Sequence, residues 1–255
     1  MQHHRFDAHF HIIDPAFPLL PNHGFLPEPF TVADYRRSTE VLGITAGAVV
    51  SGSFQGFGQR HLLSALQQLG PGFVGVIQLS AQATDAEILA LNARGVRAVR
   101  FNLRRGGSER VQHLEALALR LHALVGWPVE LYVESRELAA LQPLLRRLPA
   151  VSIDHLGLSR DGFATLLQLA EQGVRVKASG FSRVELPVAE ALRALHAANP
   201  QALMFGTDLP STRAPRPFHP SDLTLLIETL GEPAAQRALW SNAASFYRLP
   251  SPTPC

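Results

Sequence analysis

The sequence predicts an α/β protein, a single (β/α)8 TIM barrel over residues 1–255. Three observations predict it. The length suits one such barrel, short β-branched or aromatic runs alternate with longer amphipathic stretches, and eight of those runs can be found.

The first strand is read from Arg5 to His11. The segment from Asp14 to Phe30 has prolines at 15, 18, 21, 27 and 29 and no period. It reads as an ordered loop, and following the first strand directly it would lie over the barrel mouth. Thr31, with Asp34 three residues on, starts the first helix, and Gly43 ends it. The second strand runs from Ala46 to Val50 and the third from Phe73 to Leu79. Thr84-Asp85-Ala86-Glu87 is a capping box, and Gly95 stops the helix it opens. The fourth strand runs from Val96 to Leu103. Gly126-Trp127-Pro128 leads into the fifth, from Val129 to Val133, and Leu148-Pro149 into the sixth, from Val151 to Asp154. The seventh runs from Val174 to Ala178, after which Leu186-Pro187 opens a helix; the eighth runs from Leu203 to Phe205. No linker or charge block divides the chain.

Hydrophobic residues make up 46% and charged residues 17%, which supports a large core and excludes disorder. The net charge is +2, Lys177 is the only lysine, and the arginines are dispersed, so nucleic acid is not an expected partner. Cys255 is the sole cysteine and the last residue, which leaves no intrachain disulfide and no prenylation box. Arg5, Asp7, Asp14 and several prolines interrupt any signal-peptide core. No apolar run approaches ~18 residues, so a cytoplasmic protein with no membrane association is expected. Nothing in the pattern specifies an oligomeric state.

Function is read from the polar residues where predicted strands stop. His9 and His11, two apart in extended chain, point to one face and can reach one centre. His3 and His4 are adjacent and read as solvated. Ser51 and Ser53 follow the second strand, as ligand donors or as turn residues. Arg100, within the fourth strand, needs an anion because its charge cannot be neutralised by proton loss, which suggests a substrate-carboxylate clamp. The same strand carries Arg97 and Asn102, with Arg104 and Arg105 beyond. The fifth strand gives Glu130, Tyr132 and Glu134, the sixth Asp154 and His155, and the seventh Lys177 and Ser179 followed by Arg183. The eighth ends at Asp208, separated from the next helix by Leu209-Pro210, so that its carboxylate is free to act as metal ligand or general base.

In Asp7-Ala8-His9-Phe10-His11, Gly95 to Asn102, Ile153-Asp154-His155-Leu156-Gly157, Val176 to Gly180 and Phe205 to Pro210, the chain resembles the amidohydrolase superfamily. Specifically, it resembles the branch that includes 2-pyrone-4,6-dicarboxylate lactonase and sugar lactonases. Leu239-Trp240-Ser241-Asn242-Ala243-Ala244 resembles that family's closing helix. The resemblance implies that His9, His11 and His155 face one another, that Asp208 activates the attacking water, and that Arg100, Tyr132 and Arg183 recognise a dicarboxylate, with Ser51 and Ser53 matching less closely. Dinuclear members use a modified lysine on the fourth strand, which this chain lacks. Mononuclear members often have a histidine at the end of the fifth, where this chain has Tyr132, a poor zinc ligand. His9, His11, His155 and Asp208 could hold one divalent ion, zinc by donor chemistry, or act without metal as in the lactonase branch.

The expected reaction is opening of a lactone of a small acidic substrate. Asp208 is the base, the histidines polarise the carbonyl, and the Arg213 or Arg216 loop helps hold a carboxylate. Two alternatives are a metal-dependent non-oxidative decarboxylase, told apart by carbon dioxide release, and a barrel that binds a small acid without turnover, told apart by ligand-induced melting shifts without product.

Overall fold

The structure, a computed structural model, describes residues 4–249; His3 and Cys255 lie outside them. Eight parallel strands pair in chain order: β1 (Arg5–Phe10), β2 (Ile44–Val50), β3 (Phe73–Ile77), β4 (Val96–Asn102), β5 (Val129–Tyr132), β6 (Val151–Ile153), β7 (Arg175–Ala178) and β8 (Leu203–Phe205). Every predicted strand is present. The ends shift by a residue or two because His11, Leu103, Val133 and Asp154 have already left the sheet for the mouth.

Between and after the strands run α1 (Val32–Thr39), α2 (Arg60–Leu69), α3 (Asp85–Ala93), α4 (Leu114–Val125), α5 (Leu138–Leu145), α6 (Phe163–Glu171), α7 (Val188–Ala198) and α8 (Pro220–Leu230). The two predicted capping boxes form at Thr31 with Asp34 and at Thr84 with Glu87, each pairing two otherwise orphaned N–H groups. Branched and aromatic side chains such as Val99, Phe101, Leu117 and Leu121 fill the layer between sheet and helices. The barrel closes at the mouth, where Asp208 N donates to His9 O and His11 N donates to Leu209 O, both at 2.7 Å.

The opposite end of the barrel is plugged. After α9 (Glu232–Gln236) and a π-helical turn (Arg237–Ser241), α10 (Asn242–Phe246) and the Tyr247 that caps it set Ala243, Phe246 and Tyr247 against an inner floor of Phe6, Ala8, Ala48, Ala98 and Met204. Tyr247 stacks on Phe6 at 5.5 Å, and Asn242 Nδ2 donates to Leu203 O at 2.8 Å, which ties the plug to β8. The small floor residues leave room for these rings.

The proline-rich segment after β1 crosses the mouth, as its position in the sequence predicts. Its ends pair through Ile13 and Phe30 and its tip through Asn22 and Phe25. Leu20 N donates to Phe54 O at 2.8 Å and Asn22 Nδ2 to Arg105 O at 3.1 Å, reaching the loops after β2 and β4. Among the described residues no helix is long and apolar enough to cross a membrane.

Candidate active site

The site begins with a break in the regularity of β1. Asp7 lies opposite Gly47 and Phe10 opposite Val49, three steps along β1 against two along β2. The extra residue reverses side-chain parity. Below it, Phe6 and Ala8 face the floor; above it, Phe10 stacks outward on Tyr35 at 3.8 Å while His9 and His11 turn together, ring centroids 5.1 Å apart. The buried Asp7 carboxylate holds this bulge, accepting from His9 N at 3.1 Å, Thr207 N at 2.8 Å, Thr207 Oγ1 at 2.6 Å and Tyr35 Oη at 3.1 Å. Burial pushes its pKa up to about 6 despite those four donors. Gly206 makes the close approach of β8 possible, since a Cβ there would lie 2.8 Å from His9 N.

Asp208 sits at the centre with a left-handed φ of 60°, a conformation that Asp tolerates better than most residues. Its Oδ2 accepts from Arg183 Nε at 2.7 Å. Its Oδ1 is buried without a partner, 3.9 Å from both His9 Nε2 and His155 Nε2. Burial pushes the Asp208 pKa up to about 6, against the pull of Arg183. Burial also keeps the surrounding imidazoles neutral, with His9 and His155 well below the usual histidine range and His11 at about 3. His11 Nδ1 lies 2.6 Å from Val50 O, which can only accept, so its Nε2 keeps the lone pair. His155 Nδ1 lies 2.9 Å from Ser179 Oγ, and the His155 ring packs edge-on against Tyr132 at 5.2 Å.

The cavity above this centre is lined by His11, Ser53, Asn102, Tyr132, His155, Asp208 and four arginines, Arg100, Arg105, Arg183 and Arg213. The arginines differ in what they have left to offer. Arg100 donates twice to Asp154 Oδ2, at 2.8 and 3.3 Å, and once to Ser51 O at 3.0 Å, leaving two of its five N–H groups. Arg183, also in the lining, donates to Thr212 O at 2.7 Å, which leaves its second terminal nitrogen without a partner among the described residues. Arg213 is bound to Asn22 of the mouth-crossing segment at 3.1 and 2.8 Å and lies 4.1 Å from the Phe25 ring centroid.

The structure therefore gathers His11, His155, Asp208, Arg100, Tyr132, Arg183, Ser53 and Arg213 around one cavity, with His9 fully buried behind the lining, 3.9 Å from Asp208 Oδ1. It does not bring Ser51 to the lining: that hydroxyl lies 3.4 Å from His61 Nε2, and only its carbonyl takes part, through Arg100. Arg216 pairs with Asp222 at 2.7 Å, Arg104 with Glu134 at 2.9 Å, and Arg97 bonds Asn92 O, all away from the lining. The reading of the sequence assigned no role to Asp7, Asp154, Glu130 or Lys177. Their strand positions were visible, but their partners lie on other strands.

A family profile described as amidohydrolase matches residues 6–249. The chain belongs to the amidohydrolase family. This amidohydrolase is 31% identical over 156 residues to a 2-pyrone-4,6-dicarboxylate hydrolase of Comamonas testosteroni, covering 59% of the chain and 51% of that protein. It is 25% identical over 224 residues to a 4-sulfomuconolactone hydrolase of Rhizobium radiobacter, covering 80% and 75%. The chain thus spans about half of the first relative's length and three quarters of the second's. Among solved structures, an apo protein of Agrobacterium tumefaciens superposes with a TM-score of 0.83 at 26% identity, covering 96% of each chain. A Pseudomonas putida protein, provisionally assigned as a 2-pyrone-4,6-dicarboxylic acid hydrolase, superposes with a TM-score of 0.81 at 27% identity, covering 97% and 98%.

The family's metal chemistry can be tested on the donors present. One ligand atom each from His9, His11 and Asp208 lie within 4.8 Å of one another, as do atoms of His9, Asp154 and His155. In position, these groups could hold a metal ion. A metal-ligating imidazole donates its outer N–H to an acceptor; His11 fits this through Val50 O at 2.6 Å, whereas the outer nitrogen of His9 lies between Lys177 Nζ at 3.2 Å and Asp154 Oδ1 at 3.4 Å.

Proposed function

We propose that this amidohydrolase hydrolyses the ring ester of small lactones that carry a carboxylate or similar anion. The observation that carries the reading is the buried, unpartnered Oδ1 of Asp208, facing neutral imidazoles in a cavity lined by arginines. A carboxylate with a pKa of about 6 is ionised at neutral pH yet basic enough to take a proton from water.

Water held against Asp208 Oδ1 gives up its proton to that oxygen as the hydroxide adds to the lactone carbonyl. The carbonyl oxygen gains the electron pair and is met by imidazole and guanidinium N–H groups. The tetrahedral adduct then collapses and the ring C–O bond breaks. The departing oxygen takes the proton held by Asp208, which returns as the carboxylate. Arg105, whose guanidinium has no partner among the described residues, and the remaining donors of Arg100 and Arg183 bind the substrate's anionic groups. Both named relatives act on lactones bearing acidic groups, which supports an acidic substrate. His9, His11 and Asp208 are the groups a cation would use; the contact of His9 with Lys177 favours polarisation by protein donors instead.

The test is a panel of lactones that includes 2-pyrone-4,6-dicarboxylate, 4-sulfomuconolactone and uncharged analogues, with the products identified by NMR. Ring-opened acids from the anionic members are expected, with kcat/KM at least ~10-fold above that for the neutral ones. Carbon dioxide release without ring opening would replace this reading by decarboxylation.

A further inference from the structure

The chain's only lysine is fully buried below the catalytic histidines. An ammonium has three donors and no lone pair, and Lys177 Nζ has three acceptors around it: Glu130 Oε2 at 2.5 Å, His9 Nδ1 at 3.2 Å and Asp154 Oδ1 at 3.6 Å. The outer oxygens of the two acids are occupied elsewhere. Glu130 Oε1 accepts from Tyr247 Oη at 2.5 Å, and Asp154 Oδ2 accepts from Arg100 at 2.8 Å. Two cations and two carboxylates therefore form a charge-balanced layer between the apolar floor and the mouth, in which Asp154 Oδ1 lacks a hydrogen-bond partner.

His9 Nδ1 meets this layer at two atoms that ask for opposite tautomers. Asp154 Oδ1, at 3.4 Å, would accept an Nδ1–H; Lys177 Nζ, at 3.2 Å, can only donate. The ammonium is the nearer, and Asp154 Oδ1 also lies within reach of its charge. An Nδ1–H here would give Asp154 Oδ1, which has no hydrogen-bond partner, a donor, but only by setting an N–H against the nearer ammonium in a buried site, which is unfavourable.

We propose that Lys177 is a positioning residue that holds His9 as the Nε2–H tautomer, so that His9 turns a proton toward Asp208 Oδ1 behind the cavity lining while its neighbour His11, in the lining, presents a lone pair. The two histidines of one His-x-His pair then differ in role because their outer nitrogens differ in partner, an ammonium for His9 and the Val50 carbonyl for His11. The Nε2–H of His9 points toward Asp208 Oδ1, into the region where negative charge develops on the carbonyl oxygen. That last role rests on the lactone-hydrolysis reading; the tautomer does not.

The tautomer is read directly by long-range proton–nitrogen NMR of the full chain labelled with 15N-histidine, with His9 assigned by comparison with His9→Gln. The expected result is a protonated Nε2 and a bare Nδ1 on His9, and the reverse on His11; a protonated Nδ1 on His9 overturns the proposal. Removing Lys177 alone would strand Glu130, so two double variants keep the layer neutral. Lys177→Met with Glu130→Gln removes the donor, and His9 is expected to turn its proton toward Asp154. Zinc affinity, measured by calorimetry with zinc chloride alone, should then rise ~10-fold or more. Lys177→Gln with Glu130→Gln retains an amide donor, and the wild-type tautomer and zinc affinity should be kept. If the Met variant keeps the wild-type tautomer, Lys177 is not the determinant. Should neither variant fold, the wild-type spectrum still decides. Should the wild type show the expected tautomer but hydrolyse no lactone, only the role at the carbonyl falls.

Discussion

Replacing Arg183 by Met tests the assignment of Asp208 as base, because Arg183 is the principal group opposing the rise of its pKa. With Nε 2.7 Å from Oδ2 and the charge centres ~4 Å apart, an effective dielectric near 20 gives an attraction of ~4 kcal/mol, or ~3 pK units, as an upper bound. Relaxation and entry of water reduce this, and a rise of ~1 unit or more remains. The sign follows from the charge removed. A cation favours the carboxylate, so without it the proton leaves at higher pH, and the acid limb of kcat/KM should move from about 6 to ~7 or above. The variant should fold, since Asp208 can take up a proton rather than remain a buried, unpaired charge. The assay is initial-rate ring opening of an anionic lactone between pH 5 and 9, followed by absorbance. His9, His11 and His155 are held neutral by burial and add no limb in that range. A limb that stays in place, or moves to lower pH, refutes Asp208 as the base.

Three further outcomes are expected. Asp208→Asn should lower kcat by ~10³-fold or more with little change in substrate Kd, and full activity would remove Asp208 from the mechanism. Tyr247→Phe keeps the stack on Phe6 but takes the hydroxyl from Glu130 Oε1, so denaturant unfolding should show a loss of ~1–3 kcal/mol with the barrel intact. Gly206→Ala puts a methyl 2.8 Å from His9 N and 2.9 Å from His9 Cβ, and should lower kcat/KM by ~10²-fold through displacement of the β1–β8 contact, measured beside its melting temperature.

The strands were legible because a parallel barrel buries both faces of each one, and runs such as Val96 to Asn102 have little polar alternation to mislead. His9, His11, His155, Tyr132 and Asp208 were legible because they interrupt or follow such runs at the mouth end. What lay out of reach depends on pairing between strands. Glu130 faces Lys177 across 47 residues, and Arg100 finds Asp154 across 54, so the clamp expected of Arg100 has an internal anion already in place. Ser51 was left open between ligand donor and turn residue; just past the end of β2, its hydroxyl faces His61 and does not line the cavity. The bulge in β1 was invisible because parity is counted against a neighbouring strand, and Asp7, which holds it, finds Thr207 across 200 residues.

That separation also orders events in time. The imidazoles of His9 and His11 belong to the end of the first strand, that of His155 follows the sixth, and the Asp208 carboxylate follows the last, joined to the first by Asp7, Thr207 and the backbone bonds between His9, His11, Asp208 and Leu209. During synthesis, a chain that has built seven strands carries the paired rings with no base opposite them and no strand to hold the bulge. Catalytic competence should therefore arrive in one step as β8 docks, making turnover a reporter of the final closure of the barrel rather than of secondary structure formed before it.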